Sequence, residues 1–328
     1  MNASVGQITQ GVAAAGSRRM LYVLAAVGIL LLLVPVFGYQ PLIINTTDTL
    51  ILALLVLSLN LLVGYGGMIS MGHAAFFATG GYTAGLLAKF LDTPFLVAFA
   101  AGPLAAAILA AIIGALCVRL SHAYFIMLTL AFAQLVYTVI WKWRGLTGGD
   151  DGLIGFSPPT FLLNNAVYYY FTLAVVATCI YALYRICESP FGRTLTAIRD
   201  NPDRATFIGV NVRAKQWTAF VIAGFFAGVA GVLQAYFHRG MFVNAAHFIT
   251  SADALVILLL GGSRWFVGPL IGAVVFKILF ISIPTITVYW PLFIGLVILA
   301  VALFMPDGLA KFGDILRPKA IARERKRA

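Results

Sequence analysis

The chain has 328 residues, of which 62% are hydrophobic and only 10% charged. A soluble domain carries about 25% charged residues, so this composition leaves too little charge to cover a water-exposed surface, and the chain reads as an integral membrane protein. Its 22 Lys and Arg against 11 Asp and Glu give a net charge of +11; in a membrane protein such an excess sets orientation and meets anionic lipid or partner domains, and no nucleic-acid partner is expected. Cys117, Cys179 and Cys187 lie in or at the end of apolar runs without CxxC spacing, which points to packing rather than to a disulfide framework or a metal site.

About 20 helical residues cross the hydrocarbon core. Apolar runs fall at Met20 to Phe37, Asn45 to Val63, His73 to Ala88, Phe95 to Val118, Tyr124 to Ile140, Ala166 to Ile186, Gln216 to Phe237, Ser251 to Leu260, Val267 to Ile283 and Val288 to Met305. The first ends at Gly38-Tyr39-Gln40-Pro41 with no small-x-small cleavage pattern and is kept as an anchor helix. Ser251 to Leu260 is short for a crossing; it either begins as far back as His247 or is a half-helix. Counting alternate loops from an inside N-terminus puts 17 Lys and Arg on one side and 4 on the other, with Lys277 inside a run. That asymmetry fits the positive-inside rule. The expected fold class is therefore all-α, a polytopic transmembrane helix bundle of about ten membrane segments with both termini cytoplasmic. Its parts are a cytoplasmic segment 1–19, a membrane domain 20–305 with a cytoplasmic loop at 187–214, and a basic tail 306–328 placed at the lipid headgroups.

Small residues mark helix contacts. Gly102, Ala106, Ala110 and Gly114 recur every four residues, as do Gly224 with Gly228 and Ala227 with Gly231, leaving flat faces where another backbone approaches; a pore lining is the alternative. Asp253 and Lys277 are ionisable residues inside apolar runs, rarely kept against lipid. Their runs are consecutive, and at 1.5 Å per residue their depths from the intervening corner are similar, about 12 and 15 Å. They are expected to pair, with snorkelling of the lysine as the alternative. Trp141, Trp143 and Tyr168 to Tyr170 suit an interfacial belt.

Two stretches carry function. In the loop Cys187 to Ala214, Leu195, Ile198, Ala205 and Ile208 form an apolar set and Arg193, Arg199, Asp200 and Arg204 a polar one, while Asn201-Pro202 splits the segment into two short helices. Such an amphipathic hairpin lies on lipid or docks into a partner's groove. The segment Ser58 to Ala84 reads as a helix end, a glycine turn and a new helix start, with Asn60, Ser70 and His73 among apolar residues. Irregular backbone at membrane depth is tolerated only when buried in protein or lining a cavity. His73 suits a neutral, hydrogen-bonded structural role better than that of a substrate ligand. Asn60 suits satisfaction of a backbone group freed at the turn.

Both stretches resemble the branched-chain amino acid permease family of ATP-binding-cassette importers. Asp203-Arg204-Ala205-Thr206-Phe207-Ile208-Gly209 follows the importer pattern acidic-Ala-Ala, three residues, Gly, with Arg204 in the second place; Phe191-Gly192-Arg193, Ala197 to Asn201 and Gly209 to Val212 are closer to that family. The glycine string, Thr147-Gly148-Gly149-Asp150-Asp151-Gly152 and Ser251-Ala252-Asp253 before Gly261-Gly262 extend the similarity, whereas Ser263-Arg264-Trp265-Phe266 departs from the family's Gly-x-Gly-[ST] continuation. The Pro306 to Leu309 ending and the extra first segment favour the M-type subunit over its H-type paralogue. The resemblance implies a multi-pass subunit of a bacterial-type inner membrane, moving branched-chain or related amino acids with no catalytic residue, metal or cofactor of its own. No GxxxxGK[ST] occurs, so ATP and magnesium would belong to two ATPase subunits. A second, H-type permease and an external binding protein complete the implied assembly. Gly192, Arg193, Arg199, Asp203, Ala205 and Gly209 would couple to the ATPase; Asn60, Gly64, Gly66, Gly67, Ser70, His73, Thr79 and Tyr82 would line the translocation path against the second permease. The alternative is an ion-coupled transporter or channel working through Asp253 and Lys277. The four scattered histidines leave no constellation for a membrane enzyme.

Overall fold

The computed structural model describes residues 28, 30–120, 122–285, 287–304 and 308–309. Eleven α-helices of six residues or more organise that part. They are α1 (Gln40–Asn60), α2 (His73–Phe90), α3 (Phe95–Cys117), α4 (His122–Lys142), α5 (Asn165–Glu188), α6 (Pro190–Asp200), α7 (Pro202–Phe207), α8 (Val212–Phe237), α9 (Phe248–Gly261), α10 (Gly268–Ser282) and α11 (Trp290–Phe304). Two two-residue strands, β1 (Leu153–Ile154) and β2 (Gly240–Met241), pair antiparallel. The chain is a polytopic helical membrane protein: α1 with its extension to Tyr65, α3, α4, α5 and α8 are long and apolar enough to cross a membrane, and α9 and α10 are shorter apolar helices. Every apolar run after the first becomes a helix. Of the run Met20 to Phe37, residues 30–33 are helical and Val34–Phe37 form a 3-10 turn, while residues 20–27 and 29, the segment 1–19 and nearly all of the tail lie outside the described residues.

Helix starts follow their capping residues. Ser189, Asn201 and Asn211 accept hydrogen bonds from Gly192, Arg204 and Ala214 amides at the starts of α6, α7 and α8, and Pro190 and Pro202 occupy first helical positions. The short eighth run begins at Phe248, capped by His247, giving 14 residues or about 21 Å of helix, less than the hydrocarbon thickness.

The core is a seam of α2, α3 and α8 built on the two small-residue stripes. A Cβ at Gly224 would enter Ala110, one at Gly228 would enter Ala106 and come within 2.9 Å of Pro103, and one at Gly102 would meet Val232 and the Gly80 carbonyl. On the other side of α8, Gly231 lies against the Phe77 carbonyl, and a Cβ at Gly81 would stand 2.8 Å from the Gly231 oxygen. In lipid, dispersion and close backbone approach replace the hydrophobic drive for association, so these glycines set the interhelical distance. The stripes are packing faces, and α8 is the most enclosed span.

Two expectations are corrected here. Tyr168 and Tyr169 are buried rather than interfacial, their hydroxyls donating to the carbonyls of Leu233 (2.7 Å) and Leu31 (2.6 Å); Tyr170 is the exposed member, and Trp141 and Trp143 are exposed as expected. Ile208 leaves the apolar set of the loop: it is 78% exposed beside Phe207, because α7 ends before the helical phase would turn it inward.

Gly231→Ala should lower the unfolding free energy of the purified protein by about 1–3 kcal/mol through overpacking on the α2 backbone. Gly145→Ala, facing open space, should change it by less than about 0.5 kcal/mol; equal effects in a chemical melt would contradict the seam.

Candidate coupling and translocation site

Helix α1 does not end cleanly. After Asn60 its hydrogen bonding widens into a π turn, Leu61–Tyr65, closed by Gly66 N–H to Leu61 O at 3.1 Å and Met68 N–H to Leu62 O at 2.9 Å. Gly67 follows at φ +67°, a left-handed conformation that glycine adopts without strain. The chain then runs without regular structure to His73, where α2 begins with no side-chain cap of its own. A π turn inside an α-helix often marks a functional position, and here it leads directly into the irregular stretch.

Several freed amides of that stretch find side-chain partners within the chain. Ser251, from α9, accepts the Ala74 amide at 2.8 Å and so caps α2 from another helix. Ser70 accepts the Gly72 amide at 3.2 Å, and Thr129 of α4 accepts the Met71 amide at 3.3 Å. His73 Nε2 lies 2.8 Å from Ser58 Oγ. Because that hydroxyl already donates to Leu55 O at 2.7 Å, the ring must donate, which fixes the neutral Nε2–H tautomer. His73 is thus a buried structural histidine whose Nδ1 has no hydrogen-bond partner. Asn60 departs from expectation: it is 1% exposed, and neither amide atom is hydrogen-bonded.

The path candidates come together, but largely facing inward. Asn60, Gly64, Gly66, Ser70, His73 and Tyr82 are buried in the chain's own core, while Gly67 and Thr79 are half-buried and Ile69 is exposed. For Ser70 the inward turn follows from chemistry: its hydroxyl is taken up by a backbone amide that the glycine turn strands. Ser70, fully buried, is therefore a scaffold residue; Ile69, Thr79 and the half-buried Met71 and Thr83 carry the accessible surface of the stretch.

The loop 187–214 folds as the expected pair of helices, α6 and α7, broken at Asn201 (φ −161°, ψ 102°). Leu195, Ile198 and Ala205 are buried, and Gly192 lies so close to the Cys187 carbonyl that a Cβ would collide with it. Arg193 and Asp203 are exposed, and Gly209 sits at φ +86° in open space. Lys215 at the start of α8 covers the Phe191 ring at 5.6 Å.

Arg199 joins this loop to the glycine turn. Its guanidinium Nη1 donates to Gly64 O, Nη2 lies 3.0 Å from Asp200, and its stem packs on Gly67, where an added Cβ would stand 2.6 Å from Arg199 Cγ. A Cβ on Gly64 would run into the Ser263 carbonyl and the Asn60 amide. Three segments distant in sequence, α6, the π turn and the Ser263–Phe266 corner, therefore meet around Gly64. Phe266 in turn packs edge-on to Tyr184 of α5 at 5.4 Å. The atypical corner is a packed part of this junction.

The expected Asp253–Lys277 pair is not formed. Lys277 Nζ instead lies 3.2 Å from Asp48 Oδ2, and His238 Nε2 lies 3.2 Å from Asp48 Oδ1. Equal depth was a sound estimate, but depth leaves the angular position around the helix open: α10 packs on α1 as well as on α9 and turns Lys277 toward α1. Asp253 is exposed and has no ion pair among the described residues. Asp48, Ser251, Thr129 and Ser263 are the positions that sequence reasoning missed as partners. Asp48 carried a visible signal, an acid within an apolar run. The three cysteines are free, and no cluster of potential metal ligands occurs among the described residues.

The family model for the branched-chain amino acid transport system permease component matches residues 42–302, from the first turn of α1 to near the end of α11. The chain belongs to that family. It is 27% identical to the high-affinity branched-chain amino acid transport system permease protein LivM of Escherichia coli K12 over 243 residues, covering 66% of this chain and 57% of the relative. The LivM protein of Salmonella typhimurium is 25% identical over 290 residues, covering 80% and 68%. The galactose/methyl galactoside import permease MglC of Haemophilus influenzae is 26% identical over 170 residues, covering 48% and 50%. No solved structure matches the chain. Permeases for chemically different solutes thus share its pattern, and as a family member the chain is an ABC-transporter permease component.

Unfolding of the four corners of a double-mutant cycle should give a coupling of about 1–3 kcal/mol between Asp48→Asn and Lys277→Gln. Asp253→Asn and Lys277→Gln should be additive; the reverse pattern would restore the original pair.

Proposed function

We propose that this chain is one of two permease subunits of an importer in which separate ATPase subunits dock on α6 and α7 and an external binding protein delivers the solute. The observation that carries this reading is the Arg199 junction, which ties the loop to the irregular stretch after α1. A displacement of α6 would be passed as a pull on Gly64 O and a push on Gly67, at the place where α1 is already wound as a π turn. The exposed Phe207 and Ile208 and the open Gly209 corner supply the apolar tip for docking, with Arg193 and Asp203 at its rim.

The proposed path runs along the outward side of the same stretch, with Ile69, Met71, Thr79 and Thr83 facing the second permease; Asn60, Gly64, Gly66, Gly67, Ser70, His73 and Tyr82 form the scaffold that shapes it. Asp253, an exposed acid on a short helix, belongs to this surface rather than to lipid. Branched-chain amino acids are the proposed solutes, supported by the LivM relatives. Ten crossings with both termini cytoplasmic, in a bacterial inner membrane, remain the proposed topology, supported by the 17 to 4 distribution of basic residues.

In proteoliposomes holding the whole transporter, Arg199→Ala should lower ATP-driven leucine uptake about tenfold or more while ATP hydrolysis persists, and Gly209→Trp should depress both by blocking docking. Uptake by the Arg199 variant in parent proportion to hydrolysis would remove the junction from the mechanism.

A further inference from the structure

Beside the coupling loop, where the C-terminal end of α3 meets the N-terminal end of α8, lies an open cleft of about 480 Å³ that the transport reading leaves unused. Its charged walls are Arg119 and Arg213, its polar edge Asn211, and its inner wall Val118 and Trp217. Both arginines are exposed, and neither forms a hydrogen bond or ion pair among the described residues. No acidic residue occurs in residues 111–120 or 210–218. Lys215, the other cation here, is occupied by the Phe191 ring. Trp217 is fixed: its indole Nε1–H donates to Ala111 O at 2.9 Å, holding the ring across the two helices.

We propose that this cleft binds the headgroup of an anionic phospholipid. Two guanidiniums without a protein counter-charge match a phosphate, which arginine recognises through paired N–H donors. The start of α8 adds the positive end of its helix dipole. The occupant is identified as a lipid, rather than a free phosphate or an acidic protein surface, by what continues from the cleft. On α3, Ile108, Ile112 and Leu116 recur every four residues on one face, 63%, 59% and 49% exposed, and the helix ends two residues before Arg119. Charge, indole and apolar stripe thus follow one another from the loop end toward the middle of the bundle, in the order of headgroup, interface and acyl chain. The site abuts Asn211, the cap of α8, immediately after the coupling loop, so its occupant would brace the loop's exit.

The assembled transporter in nanodiscs of phosphatidylcholine with bromine-labelled phosphatidylglycerol tests this. The quenching lost in Trp217→Phe reports on the cleft. That component should exceed what labelled phosphatidylcholine gives at equal content, and should resist inorganic phosphate. Arg119→Gln with Arg213→Gln should lower the preference for the anionic lipid by about thirtyfold, roughly fivefold per charge, while Arg119→Lys with Arg213→Lys keeps most of it and so controls for folding. Equal quenching by both lipids, displacement by inorganic phosphate, or loss of ATPase subunits from the double glutamine variant with quenching unchanged would each overturn the proposal.

Discussion

A backbone amide in the hydrocarbon core has no water to bond to, so each irregular residue must find its partner within protein. This constraint explains the arrangement around residues 61–72. The chain departs from helical geometry at Leu61 and resumes it at His73. Ser251 and Thr129 come from two other helices to receive the amides left over, and Ser58 fixes the His73 ring. The glycine seam of α2, α3 and α8 is what holds those donors and acceptors in reach, because a larger side chain at Gly228 or Gly231 would separate the helices.

The same constraint makes the region a place where movement can be registered. The π turn holds widened hydrogen bonds, and the adjoining Asn60 amide is buried without a partner. An unpaired buried amide is costly, so a small shift that gives Asn60 a partner is favoured once the surrounding helices move. Arg199 connects this region to α6. The Asp48–Lys277–His238 cluster sits at the far end of α8 from the loop and ties α1, α8 and α10 together there. The bundle is thus clamped by charge at one end, and at the other the loop 187–214 packs on it through Leu195, Ile198 and Ala205 and is hydrogen-bonded to the π turn by Arg199.

Much of this was legible in the sequence because membrane segments are governed by length and polarity alone. The nine later apolar runs became helices, the loop broke at Asn201, and the two stretches singled out for their chemistry proved to touch. What could not be read was angular position. Lys277 has a suitable acid at its own depth on the neighbouring helix, yet turns to Asp48, and no spacing rule selects between two acids when the rotation of α10 is unknown. The tyrosines at 168–170 illustrate a related ambiguity: a hydroxyl that suits a headgroup also suits a backbone carbonyl, and all three donate to one, Tyr170 doing so to Leu32 at 3.0 Å while staying exposed. Ser70 and His73 were recognised as special, but their polarity is spent within their own chain, on the Gly72 amide and the Ser58 hydroxyl.

The central claim is that the loop 187–214 and the irregular stretch behave as one unit through Arg199. Hydrogen–deuterium exchange of the assembled transporter, followed at the amides of Leu61 to Gly72 with and without ATP, tests it most directly. The account requires exchange in this segment to change with nucleotide in the parent protein and to lose that response in Arg199→Ala, with the loop helices still protected. An undiminished response in the variant would show that the signal reaches the membrane core by another route.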